Sequence, residues 1–394
     1  MTLVRDLDDD SVVAESTPLD EIPVRNIWLL FLYASGLAQF RDRFNAEVEQ
    51  SPDFKSLLAR LLCYAAERRL RRNLSFGYRA RRDVLRRVRG RIDILKTVTE
   101  SLLRKGQVAC RFTELTVDTP RNRLVRAALG QMASIELEDG LENRCRTLAH
   151  CLGRIGVGAE LPSRAEIVSD QIARHEVDDR LLVSLANAVF NLILPTEDAG
   201  GRSVLAAQRE SVTLWKLFEK AIGNFFAAEL PEEDGWRVRT STPHQWPITA
   251  CSRGLGAYLP NMKTDIIIEN VQAQRRIIVD TKFNQVVTRS QFGALQFKTE
   301  HLYQLFAYVR SQECPSDPMS ISADGILLYP SAGLHVDETA LIQGHRLRFV
   351  TVDLARPSAE VVEQLRTIPT SSTLTRSGRK SERALSGTTH IEQR

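Results

Sequence analysis

Long apolar runs are missing from this 394-residue chain: no stretch approaches the ~18 uninterrupted apolar residues that a membrane helix needs. Its opening residues, MTLVRDLDDDSVVAESTPLDE, are acidic where a secretion signal is basic and then apolar, so a cytoplasmic protein with no membrane partner is expected. Excess charge of one sign is also missing. Lys and Arg number 53 against 49 Asp and Glu, a formal net charge of +4, so a surface for a polyanion has to be local. Cys63, Cys110, Cys145, Cys151, Cys251 and Cys314 are scattered, with no CxxC and no histidine at knuckle spacing, which excludes a zinc ribbon and leaves reduced, buried fillers. The dipeptide Gly-Lys does not occur, and with it goes the phosphate-cradling GxxxxGK[ST] loop. No internal repeat is present.

What remains is ordinary globular composition, 43% hydrophobic and 26% charged, over a length that makes roughly two to three domains. Composition divides it into an acidic lead-in over 1–20, an N-terminal region over 21–200, a second domain over 201–355 and a Ser/Thr/Arg-rich tail over 356–394. The loop PTEDAGGRS (195–203) is the expected boundary between the halves. In IPVRNIWLLFLYASGLAQF (22–40), Ile27, Leu30, Phe31 and Ala34 share a helical face, with Asn26 as a candidate cap. Phe54, Leu57, Leu58, Leu61, Leu62 and Ala65 predict a second helix over 53–70. The period then shortens: RRDVLRRVRGRIDIL and QVACRFTELTV read as strands around Gly90 and Lys105-Gly106. Helices return over 120–154, with Asp118 or Thr119 as cap and Pro120 in the first turn, and over 181–194. The N-terminal half is thus α+β with a β-rich middle.

The stretch TDIIIENVQAQRRIIVDTKF (264–283) carries the chemistry. It reads as a strand over 265–268, a turn over 269–274 and a return strand over 277–279. Residues i and i+2 of a strand share a face, so Asp280 and Lys282 point the same way, and an antiparallel return brings Asp265 beside Asp280. Two carboxylates supply hard oxygen ligands for Mg²⁺ while leaving room for water and a phosphate. The metal lowers the pKa of bound water, and a lysine beside it positions the attacking water and offsets the oxyanion. Glu219 lies on the edge of an amphipathic helix over 214–226 and is the candidate third acid; Gln304 and Tyr308 sit four residues apart on one side of a helix over 299–310. A metal-dependent phosphodiester hydrolase follows.

This order, helix Glu, Asp, DxK and QxxxY helix, resembles the PD-(D/E)xK nucleases, whose αβββαβ core holds such a site, and within them the RecB-like branch. Thr264 stands where that pattern commonly has Pro. The motifs IPVRNIWLLFLYA (22–34), RGRIDILKT (89–97), CRFTELTVDTPRNRLVRAAL (110–129), LFE (217–219), TDIII with VDTKF, and HLYQLFAYV (301–309) together resemble McrC, the nuclease subunit of the McrBC modification-dependent restriction system, over about 22–350. The resemblance implies an α/β restriction-endonuclease-like domain, a mixed sheet flanked by helices. It also implies a DNA endonuclease subunit that cuts methylcytosine-containing double-stranded DNA when docked on McrB, a hexameric AAA+ GTPase. In that picture Asp265 and Asp280 hold Mg²⁺, Glu219 is an outer ligand, the Thr281 carbonyl reaches the metal, Lys282 positions water, and Gln304 and Tyr308 orient DNA. Two other classes compete: a non-catalytic adaptor that stimulates a partner GTPase, and an autonomous RecB-like repair exonuclease.

Eleven arginines fall within 68–91 against the single acid Asp83. Arg79, Arg81, Arg82, Arg86, Arg87, Arg89 and Arg91 are therefore candidates for contact with DNA or the partner, against the plainer reading of a solvated edge. Arg91 and Asp93 share a strand face and are expected to pair with each other. His301, beside the QxxxY helix, is expected to be structurally satisfied rather than a catalytic base.

Overall fold

The structure, a computed structural model, describes residues 22–138, 140–170, 172, 176–193, 203–283, 287–289 and 295–371. The acidic lead-in, nearly all of the 195–203 loop and the end of the tail lie outside them. The first half is a helical layer: α1 (Val24–Ala34), α2 (Asn45–Gln50) and α3 (Phe54–Arg71), then α5 (Pro120–Met132), α6 (Leu141–Ile155), α7 (Arg164–Ser169) and α8 (Val177–Ala188) beyond a β excursion that contains α4 (Ile94–Thr99). Local chemistry starts these helices where side-chain oxygens satisfy free N–H groups. The Ser56 amide donates to Asp53 ahead of α3, the Asn122 amide to Thr119 ahead of Pro120, and Ser163 with Glu166 closes a capping box on α7. Leu58 and Leu62 of α3, Leu124 and Leu129 of α5, and Leu181 and Leu185 of α8 are buried together as the first core.

The excursion is a three-stranded antiparallel sheet, β1 (Gly77–Leu85), β2 (Arg91–Ile92) and β3 (Val108–Thr116), ordered β1-β3-β2. Gly90 is needed before β2: its φ is +69°, and a Cβ there would meet the Arg111 carbonyl oxygen at 2.5 Å. Here the strand reading of GRIDIL is corrected. The chain turns into α4 after Ile92, because Asp93 accepts from the Lys96 amide and starts a helix. Its carboxylate pairs with Arg111 at 2.6 Å on the neighbouring strand, not with Arg91.

The second half runs α9 (Ser203–Glu229), β4 (Trp236–His244), β5 (Met262–Asn270), β6 (Arg275–Thr281), the ribbon β7 (Val287–Arg289) and β8 (Leu295–Phe297), α10 (Thr299–Ser311), α11 (Pro318–Ile321), β9 (Asp324–Ser331), β10 (Asp337–Ile342), β11 (His345–Asp353) and α12 (Ser358–Thr367). Six of these strands form a mixed sheet ordered β10-β11-β9-β6-β5-β4. The β4/β5/β6 and β10/β11 pairs are antiparallel, and β6/β9 and β9/β11 are parallel. Strand alternation sorts its two faces: Ile277, Val279, Ile326 and Leu328 pack with α9 and α12, whereas Ile278, Leu327 and Tyr329 pack with Leu305 and Val309 of α10. The turn between β5 and β6 is shorter than expected, since Asn270 pairs with Arg275 and leaves 271–274 to close it.

Two readings at the chain's ends are corrected. Asn26 does not cap α1; Pro23 occupies that position, and the buried Asn26 amide donates 2.7 Å bonds to the carbonyls of Leu354 and Arg356. The start of the expected tail is folded. Its composition is polar overall, but Val361, Val362 and Leu365 of α12, with Ile368 just past its end, recur at helical spacing and are buried against the sheet.

Candidate functional site

The site lies where β5 begins and β6 ends. Their register pairs Ile266 with Val279, so the next pair outward is Asp265 with Asp280, as the hairpin reading required. Asp265 is held from two directions by one residue: the Thr281 amide donates to its Oδ2 at 2.8 Å, and the Thr281 hydroxyl donates to the same oxygen at 2.9 Å. Asp280 is 1% exposed. The Lys282 ammonium lies 2.6 Å from its Oδ2, a close ion pair. Oδ2 is thus charge-compensated while Oδ1 has no donor, and a buried carboxylate oxygen without one is costly.

Burial pushes Asp280 up to about 6, with the negative charge of Asp265 adding to it and Lys282 opposing it. Glu219, half-buried on α9, is raised by burial and then by Asp265. Tyr308 is raised by burial and by both aspartates, while its hydroxyl accepts from the Gln304 side-chain amide at 2.8 Å. These interactions place Glu219, Asp265, Asp280, Lys282 and Tyr308 in one electrostatic neighbourhood. Among the described residues no three acidic, histidine or cysteine side chains form a ready-made metal cluster; Asp265 and Asp280 together could offer a cation carboxylate oxygens. The Thr281 carbonyl accepts a long 3.4 Å bond from the Trp215 indole.

Residues that sequence reasoning passed over complete the surroundings. Tyr329, fully buried on β9 in the α10 face, shares a 3.0 Å hydrogen bond with His301 Nδ1, and its hydroxyl is raised by burial and by Asp280. A tyrosine inside the apolar run GILLYP was the available signal. His301 is 5% exposed and satisfied by Tyr329, as expected of a structural histidine. Thr264 is fully buried, and its hydroxyl meets His244 Nε2 at 3.1 Å.

The arginine block divides. Arg79 pairs with Asp118 at 2.9 Å, Arg81 with Glu114 at 3.1 Å, and Arg89 lies 4.2 Å over the Phe112 ring. Arg82, Arg86, Arg87 and Arg91 are exposed and make no ion pair among the described residues. The register sets Arg82 and Arg91 on either side of Arg111, a row of three guanidinium groups across the small sheet in which only Arg111 has its charge matched, by Asp93.

No helix among the described residues is long and apolar enough to cross a membrane. A curated relative, the type IV methyl-directed restriction enzyme EcoKMcrBC of Escherichia coli (strain K12), is 25% identical over 336 residues, 85% of this chain and 93% of the relative. Among solved structures, an assembly of Thermococcus gammatolerans McrB AAA+ hexamers with bound McrC aligns at a TM-score of 0.48 and 13% identity, over 87% of this chain and 74% of that one. The McrBC complex of the same organism aligns at 0.36 and 15% identity, over 53% and 59%. The family model described as McrBC 5-methylcytosine restriction system component matches residues 9–330, and the chain belongs to that family.

Proposed function

We propose that this chain is the DNA-cleaving subunit of a McrBC-type system, an Mg²⁺-dependent phosphodiester hydrolase that acts when assembled with a hexameric McrB-like AAA+ GTPase. The observation that carries the reading is Asp280: buried, with Oδ1 undonated, opposite Asp265 and ion-paired with Lys282. With the separate β7/β8 ribbon and the four-residue α11 set aside, the order α9-β4-β5-β6-α10-β9 supports it, since αβββαβ is the order of the PD-(D/E)xK core. The donor chemistry fits a hard divalent cation, with Asp265 and Asp280 as ligands, the Thr281 carbonyl within the same strand end and Glu219 as an outer acid. Such a cation, when bound, acidifies water and offsets charge on the phosphoryl oxygens.

The chain's own groups do the rest. The two Thr281 donors fix the rotamer of Asp265, so its lone pairs are aimed before substrate arrives. Lys282 balances Asp280 at rest and is placed to hold a water or the oxyanion once that carboxylate is engaged elsewhere. Gln304 and Tyr308, locked together on α10, present a polar edge for the DNA backbone. The motor belongs to another chain, in keeping with the missing GxxxxGK[ST] loop and with the McrB hexamers named for the Thermococcus assembly. The arginine row on the small sheet supports contact with DNA or that partner.

The test uses the full chain with its McrB-type partner, GTP, Mg²⁺ and methylated plasmid. Asp280→Asn is expected to lower cleavage at least about a hundredfold while GTP turnover of the complex persists. Undiminished cutting by the variant would sink the mechanism. Wild-type stimulation of GTP turnover with intact plasmid would indicate the adaptor instead, and digestion of DNA ends without partner or GTP the repair exonuclease.

A further inference from the structure

The strand register of the small sheet sorts its side chains onto two faces. Residues directly opposite one another share a face, so Tyr78 stands with Leu115, Ala80 with Thr113, and Arg82 and Arg91 flank Arg111. The other face carries Cys110 and Phe112, both buried, with Arg89 laid over the Phe112 ring. The first face is bare. Tyr78 is 83% exposed and Leu115 59%, and Ala80, Thr113 and the three arginines are exposed as well.

Both halves of that face work against the fold. Like charges directly across a ladder, roughly 4.8 Å apart, destabilise a sheet. Here three guanidinium groups stand in one row, and among the described residues Asp93, bonded to Arg111, is the one carboxylate paired with it. Arg86 and Arg87, exposed in the β1–β2 connection, add charge beside the row. The tyrosine and leucine, left in water side by side, contribute no burial. Four residues of β1, about 13 Å, separate them from the arginines, and only the short side chains of Ala80 and Thr113 lie between.

We propose that this face binds a single strand of DNA, its phosphates along Arg82, Arg111 and Arg91 and a base stacked on Tyr78 beside Leu115. A guanidinium row matches a repeating phosphate, and an exposed ring gives an unpaired base a stacking platform. A duplex hides the faces of its bases and leaves Tyr78 and Leu115 wet. An acidic protein segment matches the arginines, but a polyanion with a planar group on every repeat matches arginines and ring together. The inference rests on the proposed function for the assignment of the arginine row to DNA or the partner, decides between the two, and uses none of the carboxylate chemistry.

Fluorescence anisotropy of a labelled thymidine strand of about 12 nucleotides, titrated with the full chain in EDTA, is the test. The wild type is expected to bind the strand more tightly than a duplex of the same length. Tyr78→Ala is expected to weaken the strand about tenfold with its salt dependence unchanged, because stacking releases no counterions. Arg82→Gln with Arg91→Gln is expected to weaken it at least about tenfold and to make the slope of log K against log [salt] shallower by about 1.4, the share of two phosphates. That variant also relieves like-charge repulsion, so its Tm should not fall below the wild type, which separates lost binding from lost folding. Arg154→Gln with Arg164→Gln, at exposed positions of α6 and α7, removes the same charge elsewhere and is expected to change affinity less than about twofold. Equal losses in the two double variants, tighter binding of the duplex, or full affinity in Tyr78→Ala would overturn the proposal. Unchanged strand binding together with lost stimulation of the partner's GTP turnover would overturn it too and give the face to the partner. Cleavage is read in no arm, so failure here is distinct from failure of the Asp280→Asn test.

Discussion

Single side chains decide most at positions where a charge is buried with its partners. Arg121 is the clearest case outside the carboxylate site: it donates to Asp170 at 2.7 Å and reaches Glu176 and Asp179, with Arg69 closing on Asp179 at 2.8 Å. The side chains of Arg121 and Asp179 are 11% and 4% exposed, and burial raises Asp179 even with two arginines beside it. Removing the cation strands buried carboxylates, so Arg121→Ala should cost about 3–5 kcal/mol in urea unfolding. A loss under ~1 kcal/mol would mean the network is dispensable. Thr281 offers a subtler experiment. Thr281→Val keeps the amide bond to Asp265 and deletes the hydroxyl bond, so folding should weaken by about 1 kcal/mol and, on the proposed nuclease reading, cleavage by the assembled complex should fall about ten- to a hundredfold, as for other lost ligand-orienting contacts. Unchanged cleavage would show that the amide alone orients the aspartate.

Helices and strands show which parts of the fold sequence could announce. Helix α12 gives a direct test: ending the chain at 356 removes Val361, Val362, Leu365 and Ile368 from the sheet core, at roughly 1.5–3 kcal/mol each as an upper bound. That sum rivals the stability of an entire domain, so the shortened protein should fail to melt cooperatively, whereas a chain ending at 371 should melt like the full one. Equal melts would contradict the packing. The hairpin, the QxxxY pair and the Thr119 cap were legible because each rests on local rules: period two in strands, four-residue spacing in helices, and oxygen ahead of a helix start. The position of α12 was not, since its four apolar residues are diluted by Ser, Glu and Arg and their value depends on a sheet formed elsewhere. Asn26 misled for a similar reason. Its partners, Leu354 and Arg356, lie over three hundred residues away, and no local pattern reports them. Tyr329 belongs with these, because its link to His301 joins a strand to a helix.

The chain taken together is close to neutral, yet its charges are arranged so that acid should unfold it, and the sign follows from the carboxylates. The Arg348 guanidinium holds Asp337 below the usual carboxylate range, through bonds of 2.7 Å to each oxygen. The Arg123 guanidinium holds Glu166 at about 2. Burial alone would raise Glu229, but Arg366 and Tyr33 donate to it and bring it below its ordinary value. A carboxylate whose folded pKa lies under its unfolded value, near ~4, stabilises the fold at any higher pH. That contribution is lost as pH falls through the folded pKa. Asp280, pushed up to about 6 by burial, runs the other way and favours the fold slightly as pH drops through that value. The midpoint should therefore change little from pH 7 to 5 and then drop steeply between ~4.5 and 2, less so in high salt, where the partly exposed pairs are screened. Asp337→Asn separates this from general acid damage. It leaves the guanidinium of Arg348, a buried residue at 8% exposure, with a neutral partner, so Tm at pH 7 should fall while the further loss below ~4.5 becomes shallower than in the wild type. Parallel Tm-versus-pH curves for the two proteins would show that the Asp337–Arg348 pair contributes nothing to the acid limb.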